Sequence, residues 1–514
     1  MSYFLQLAAY DLAARAETAL YFADAGMTSK PDDSPANTYF DGRLSVPCSY
    51  DATVFADGVT GGVSDGGFGE IEMVSPEGGL DVLAGYAVDG RRFELRRGED
   101  RFDTAVTIMS GVVESLELGW DTVVVNIRSR KAELETPIQT TLYAGTNSGP
   151  EGVEGTADDL QGKEKPLAFG PCDNITLTCV NTSLLIFQAH DGRLRAVRAV
   201  RDKGMPLTAT RDYATLADLQ AATFTAGQYA TCLALGLIRL WTSPAGDVTA
   251  DVDGDVLDGV YVADAAGIVE RILRTRAGWT EADFSAADLA ALTAANAAEV
   301  CLFVGAGDSL DIDAALDTLL TSIGAWWVPN RHNVIRFGIL AAPVGPPKRR
   351  LSEVEILDSD SIEWLPAHDD AGGVPYWRTK LNGQKNWSKQ SASSLAGGVS
   401  DEARAWLAEE WRTVTAEDAS VRTVHPLAPE LERDSLLRSA AACQAEADRL
   451  QALHGVWRTR LRVPFFPDEV EDLDFGDVVE LVMDRFGLAA GKLFVVIGLN
   501  VDRQNEVTEL ELYG

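Results

Sequence analysis

Between Gly476 and Gly514 the chain alternates apolar and polar positions with the two-residue period of a pleated strand. Glu509-Leu510-Glu511-Leu512 puts two leucines on one face and two carboxylates on the other. Gly476-Asp477-Val478-Val479-Glu480-Leu481 and Leu493-Phe494-Val495-Val496-Ile497-Gly498 are β-branched and aromatic runs either side of a Gly-rich turn around Arg485-Phe486-Gly487. These predict the strands of a small β-barrel. Residues 1–145 read similarly. Arg92-Phe93-Glu94-Leu95-Arg96 alternates, and Val123-Val124-Val125-Asn126-Ile127 is the continuous run expected of a strand buried on both faces. Gly61-Gly62, Gly66-Gly67, Gly78-Gly79 and Asp89-Gly90 punctuate the runs as turns, which predicts a barrel or sandwich.

The period changes between 171 and 345. Asp264 is placed to cap a helix with the stripe Ile268, Val269, Ile272 and Leu273, ending at Gly278. Ser285 opens a second helix carrying Leu289 and Leu292, and a third carries Leu316, Leu319, Leu320 and Ile323 up to Gly324. Trp326-Trp327-Val328 and Val334-Ile335-Arg336-Phe337 predict a hairpin turning at Pro329-Asn330. This is an inserted α+β region, left through a linker at 341–350 containing Pro343, Pro346 and Pro347. Before it, 144–162 is Gly-rich and acidic and predicts a flexible linker, overlapping a connector at 146–170. After it, 346–428 is a β-rich return segment, with a long polar surface loop at 378–400 (Asn382, Gly383, Asn386, Ser391 to Ser394). Glu430 to His454 predicts a helix introduced by Pro429 and closed by Gly455, with Leu431, Leu436, Leu437, Ala441, Leu450 and Leu453 on one side. With the second barrel it makes a unit at 429–514. The fold class is therefore α+β, mainly β: two barrels, an insertion and a helix before the last barrel.

A chain of 514 residues exceeds one core, so two to four domains are expected. The balance of 78 acidic against 44 basic residues, net −34, disfavours a protein that grips nucleic acid. It fits either solubility or a repulsive wall facing a polyanion. The start, Met1-Ser2-Tyr3-Phe4-Leu5, has no basic region ahead of an apolar run, so no secretory leader is expected, and no apolar run reaches membrane-spanning length. Cys48, Cys172, Cys179, Cys232, Cys301 and Cys443 form no Cys-x-x-Cys pair, and reduced, buried thiols are expected.

The chemistry-bearing motifs all have a plainer reading. Asp251-Val252-Asp253-Gly254-Asp255 suggests a calcium loop, but the positions that need Gly and Glu hold Val256 and Val262, so a turn between strands is expected. His190, His332, His368, His425 and His454 are far apart in sequence and lack metal-ligand spacing. There is no Gly-x-Ser-x-Gly elbow and no Gly-Lys-Ser phosphate loop. Among the 11 tryptophans, Trp326 and Trp327 read as half core, whereas Trp364, Trp377 and Trp387 lie in polar surroundings, open to core, protein-interface or carbohydrate roles. No catalytic, cofactor-binding or metal-binding residue is expected, and no enzyme activity.

Five local patterns, in order along the chain, resemble the tail hub (baseplate hub) proteins of long-tailed bacteriophages and phage-like gene transfer agents. They are Ser34-Pro35-Ala36-Asn37-Thr38-Tyr39-Phe40 with Gly42-Arg43-Leu44 and Phe68-Gly69-Glu70-Ile71; Gly79-Leu80-Asp81 with Gly85-Tyr86-Ala87-Val88-Asp89-Gly90-Arg91; Tyr143-Ala144-Gly145-Thr146 with Gly162 and Lys165-Pro166-Leu167-Ala168-Phe169-Gly170; Ser243-Pro244-Ala245-Gly246-Asp247-Val248-Thr249-Ala250-Asp251-Val252; and the closing helix with Gly476-Asp477-Val478-Val479. The 378–400 loop departs from the pattern. The resemblance implies two tail-tube-like barrels per chain and a homotrimer presenting six barrels to a hexameric tail tube. It implies a structural virion protein of the tail tip, made in the host cytoplasm, that gates DNA exit without binding DNA specifically. The implied partners are the tube, the distal tail protein, the tape-measure protein and a central fibre or receptor-binding protein. The alternatives are a distal tail protein forming a hexameric ring, or a glycan-cleaving or glycan-binding tail-tip protein.

Overall fold

The computed structural model describes residues 2–55, 65–99, 101–149, 151–368 and 370–514, so the Gly61-Gly62 turn lies outside the described residues. In the first sheet, Ser2–Asp11 runs between Ala16–Ala23 and Arg92–Gly98, and the order continues through Val106–Leu118, Thr122–Arg128, Ile71–Val74 and Leu44–Val46. All these neighbours are antiparallel. The alternation of Arg92–Arg96 holds: Phe93 and Leu95 are buried while Glu94 faces outward. The run at Val123–Ile127 departs from expectation. Val123, Val125 and Ile127 are buried, but Val124 and Asn126 are half-exposed, and the Asn126 amide donates to Ser115 Oγ and Glu117 Oε1. One face of this strand meets water, so its β-branched residues reflect strand propensity rather than burial on both sides.

The second sheet runs Arg349–Ser352, Val478–Val482, Lys492–Asp502, Val507–Tyr513, Arg460–Phe465 and Glu363–Leu365. A hairpin from the other end of the chain completes it: Tyr50–Thr53 pairs with Lys492–Asp502, and Asp65–Phe68 pairs with Tyr50–Thr53. The inner faces of both sheets close on one hydrophobic cluster, which holds Leu5, Phe93 and Val125 together with Tyr50, Val463, Phe494 and Leu510.

The insertion contains two five-stranded sheets, a two-stranded hairpin and four α-helices, the first of them Leu216–Ala221. Its caps are as the sequence predicts. The Asp264 side chain accepts from Gly267 N at the start of Ala265–Thr275, and Ser285 accepts from Asp288 N at the start of Ala286–Ala295. Ile312–Thr321 follows, with Gly324 left-handed at φ +64°. Ala325–Pro329 and Ile335–Ile339 form the expected hairpin, and Trp326 and Trp327 are both in the core.

Four expectations are corrected. The run 251–255 is not a turn but the middle of Val248–Leu257. Its acids are neutralised from neighbouring elements, Asp251 by Arg201, Asp253 by Arg198 and Asp255 by Arg271. Gly254 is needed because a Cβ there would lie 2.3 Å from Ala168 O. The 144–162 linker is folded back on itself: Gly145 N donates to Glu154 O, Gly162 N donates to Tyr143 O, and Leu160 packs with Tyr143 and Val180. The polar loop at 378–400 begins as the strand Arg378–Gly383, flanked by Arg412–Glu417 and Glu430–Asp434. Its Asn386 is buried, accepting from Asn174 Nδ2 and donating to Leu407 O. The helix predicted from Glu430 starts only at Ala440 and runs to His454, capped by Ser439, whose side chain accepts from Ala442 N. Glu430–Asp434 carries a single apolar residue, Leu431, and is a strand paired in parallel with Arg378–Gly383 instead.

Candidate functional site

The turn of the Trp326–Phe337 hairpin is where three parts of the chain meet. Asn330 shapes it, its side-chain oxygen accepting from His332 N and Val334 N, and Asn333 takes the left-handed conformation at φ +55°. The turn is pinned to the first sheet by Ser110 N donating to Arg331 O (3.1 Å) and by Arg130 N donating to Asn333 Oδ1 (3.0 Å). The crossing hairpin holds it too, the Tyr50 hydroxyl donating to Pro329 O at 2.5 Å.

Towards the C-terminal sheet the contact is ionic. Arg331, 6% exposed, donates to Glu471 Oε1 at 3.0 Å and to Leu473 O at 2.8 Å. Arg503, 1% exposed, reaches the same Glu471 oxygen at 2.8 Å. Arg336 bridges Asp288 and Asp474, both at 2.6 Å, and Lys348 pairs with Asp477 at 2.7 Å. Three of these cations, Arg331, Arg336 and Lys348, line a cavity of about 430 Å³ with the carboxylates of Glu471, Asp472, Asp474 and Asp477, and Val106, Thr107 and His332 also border it. Burial, reinforced by the adjacent Arg331 charge, pushes the His332 imidazole below its ordinary range. Every cation lining the cavity is already committed to a carboxylate, which suits a mechanical clamp between insertion and sheets better than a site that binds a charged ligand. The sequence gives no sign of Arg331, Glu471 or Arg503 as a group; only the Pro329-Asn330 turn signal locates the hairpin tip that carries one of them.

Two histidines that are distant in sequence come together. The His368 ring stacks on Tyr376 (centroids 4.2 Å apart, planes 22°), Tyr376 meets His454 edge-on, and the His454 Nδ1 lies 3.5 Å from the Tyr513 hydroxyl. Burial drives His454 well below the ordinary imidazole range, and Arg433, His368, Arg449 and Arg458 push the same way. Among the described residues no group of three or more His, Cys, Asp or Glu side chains is arranged to hold a metal ion. The six cysteines are free thiols.

The tryptophans divide. Trp377 is buried under the stacked guanidinium groups of Arg378 and Arg422, whereas Trp364 is 43% exposed beside Phe486. Trp387 is half-buried and lines a groove with Trp411. Sequence reasoning passed over Trp120, which is 90% exposed at the Val106–Leu118/Thr122–Arg128 turn.

No protein-family model matches the sequence, and no curated protein matches it. Several solved structures are similar to it. A tail protein from Neisseria meningitidis MC58 aligns with 12% identity over 92% of this chain and 95% of its own, at a TM-score of 0.39. A chain from the virion of a native gene transfer agent particle aligns with 15% identity over 69% and 84%, also at 0.39. The 43 kDa tail protein of prophage MuSo2 from Shewanella oneidensis aligns with 7% identity over 100% and 96%, again at 0.39. Overlaps of this quality are distant and carry no function from those proteins to this chain.

Proposed function

We propose that the chain is a structural virion protein of a phage-like tail, the hub that caps the tail tube, and that three copies surround a hollow axis with two sheets each. The observation that carries this reading is the pairing of the chain ends. Two sheets, one chiefly from each end, are joined into a single core by Tyr50–Thr53, and most of the chain between them is inserted. A ring-forming subunit needs such repeated sheets, because closure around an axis removes exposed edges. The resemblance of five ordered segments supports the same reading. In the structure, Phe40 of the first packs against Phe4 and Phe102, and Tyr86–Ala87 of the second extends the first sheet alongside Ser2–Asp11.

In this reading the insertion and the segment after Arg378 meet the tube, the distal tail protein, the tape-measure protein and a central fibre or receptor-binding protein. The net charge of −34 keeps a DNA passage from holding its cargo, since an anionic wall releases no counterions. Opening would be a rearrangement of the insertion against the sheets, which must break the Arg331–Glu471 and Arg336–Asp474 pairs. The reading assigns the protein no catalytic role.

The test is native mass spectrometry of the purified chain with class-averaged electron micrographs. The expected result is a three-chain mass and a ring of six similar lobes. Six chains would make it a hexameric distal tail ring instead. A monomer at micromolar concentration would sink both readings.

A further inference from the structure

A groove of about 390 Å³ lies between the strand Leu302–Val304, the helix Ile312–Thr321 and the segments carrying Lys385, Trp387 and Trp411. Leu302, Val304, Leu310 and Leu436 give it an apolar lining. The Lys385 ammonium is held between two indoles, 4.3 Å from the Trp387 ring centre and 4.8 Å from that of Trp411. Its one carboxylate neighbour within salt-bridge range among the described residues, Glu410, stands 3.9 Å away, too far for a hydrogen bond. Asp308 and Asp434 also line the groove. Each commits one oxygen to a protein donor, Asp308 to Gly305 N and Asp434 to the Asn382 amide. Their second oxygens meet no protein donor among the described residues.

These groups restrict the ligand. The volume is at the small end of the roughly 300–1,000 Å³ usual for ligand sites, which suits one sugar ring. An apolar ligand would strip water from an ammonium and two carboxylates and return nothing. A small inorganic anion would satisfy Lys385 but leave the indoles and leucines idle and face Asp308 and Asp434. A ring with C–H faces, several hydroxyl donors and a single carboxylate satisfies every group. The C–H faces lie on the apolar lining of Leu302, Val304, Leu310 and Leu436, the hydroxyls donate to the two aspartates, and the carboxylate takes the charge-assisted bonds that Lys385 lacks. We infer that the groove is a binding site for an acidic sugar of the hexuronate class. The inference is independent of how many copies assemble.

The test uses the full chain in its purified assembly, with D-glucuronate and D-glucose as probes, read by saturation-transfer NMR and calorimetry. Glucuronate is expected to bind and glucose to bind at least about tenfold more weakly. Lys385→Met keeps the aliphatic stem between the indoles and should erase that preference. Trp411→Ala should remove binding of both sugars. Asp434→Asn, nearly isosteric, should weaken glucuronate binding while the circular dichroism and melting curve stay unchanged. The inference is overturned if glucuronate gives no saturation transfer, if glucose binds equally well, or if folded Lys385→Met and Asp434→Asn proteins bind glucuronate as the parent does.

Discussion

The strand Thr122–Arg128 of the first sheet buries Val123, Val125 and Ile127 and leaves Val124 and Asn126 half-exposed, whereas Val507–Tyr513 of the second buries Leu510, Glu511, Leu512 and Tyr513 alike. The two strands show opposite mismatches between pattern and burial. The more continuous apolar run lies on a strand buried on one face, and the alternating strand is covered on both faces over its last four residues. What covers this end of the strand is remote in sequence: Phe55 follows the first strand of the crossing hairpin, the Pro366 carbonyl reaches Arg460, and His454 ends the helix Ala440–His454. Glu511 is tolerated there because the Arg460 guanidinium meets it at 2.6 Å, with Arg462 at 3.7 Å. Alternation therefore reports the pleat of a strand and not which faces are dry.

The sharpest way to break the comparison is to remove Arg460. Arg460→Met leaves the Glu511 carboxylate, which is 6% exposed, with Arg462 alone at 3.7 Å, and should destabilise the protein by about 3 kcal/mol in denaturant unfolding. Adding Glu511→Leu should recover most of the loss, since two apolar groups suit a dry site better than one unpaired charge. If Arg460→Met alone costs nothing, that face is wet and the contrast between the sheets is false.

Next comes pH, through His454. Its folded imidazole is held below the ordinary range, so as pH falls the unfolded chain takes up the proton first. The stability it contributes is full above about 6.5 and drains below that, with a slope of up to about 1.4 kcal/mol per pH unit. Unfolding midpoints measured from pH 7.5 to 5 should show this decline, and His454→Gln should flatten it. A smaller effect tests the crossing hairpin itself. Tyr50→Phe removes only the hydroxyl that donates to Pro329 O and should cost about 1 kcal/mol, with the same shift seen by probes in either sheet if the two share one core.

What was legible in the sequence was local. The caps Asp264 and Ser285, the Pro329-Asn330 turn and the alternation of Arg92–Arg96 each depend on residues within one turn or one pleat, and each is found as read. The pairing of Tyr50 with Val501 was not legible, because no local feature of a four-residue strand names a partner at the far end of the chain. Leu436 and Leu437 stand five and six residues after Leu431, off the spacing of one helix face, and Ser439, the true cap, sits nine residues beyond Glu430; both signs point to a helix that starts later than Glu430. The clamp at Arg331, Glu471 and Arg503 was invisible for the same reason as the crossing hairpin: its members are single charges on separate elements, united only by the fold. The groove was half legible. Trp387 was flagged for its polar setting, but its partners Trp411 and Lys385 were not.

The smallest expected effect is the control that gives the others meaning. Arg91 pairs with Glu17 across the outer face of the first sheet, at 3.2 Å, a distance close to that of the buried pairs of the second. Geometry alone would rank the two kinds of pair as equals. Solvent separates them: Glu17 is 70% exposed, so water already hydrates its carboxylate and nothing is stranded when the partner changes. Donating to the Glu17 carboxylate holds the Arg91 guanidinium above its ordinary range, but an interaction with so exposed a partner is screened by salt and carries little stability. Glu17→Gln should therefore leave the unfolding midpoint where it is, in low and high salt alike. A loss comparable to that of Arg460→Met would mean that the outer face of the first sheet is also covered, as it would be at an interface in the purified assembly. Repeating the measurement at concentrations where the assembly dissociates would then return the Glu17→Gln protein to the parent's stability.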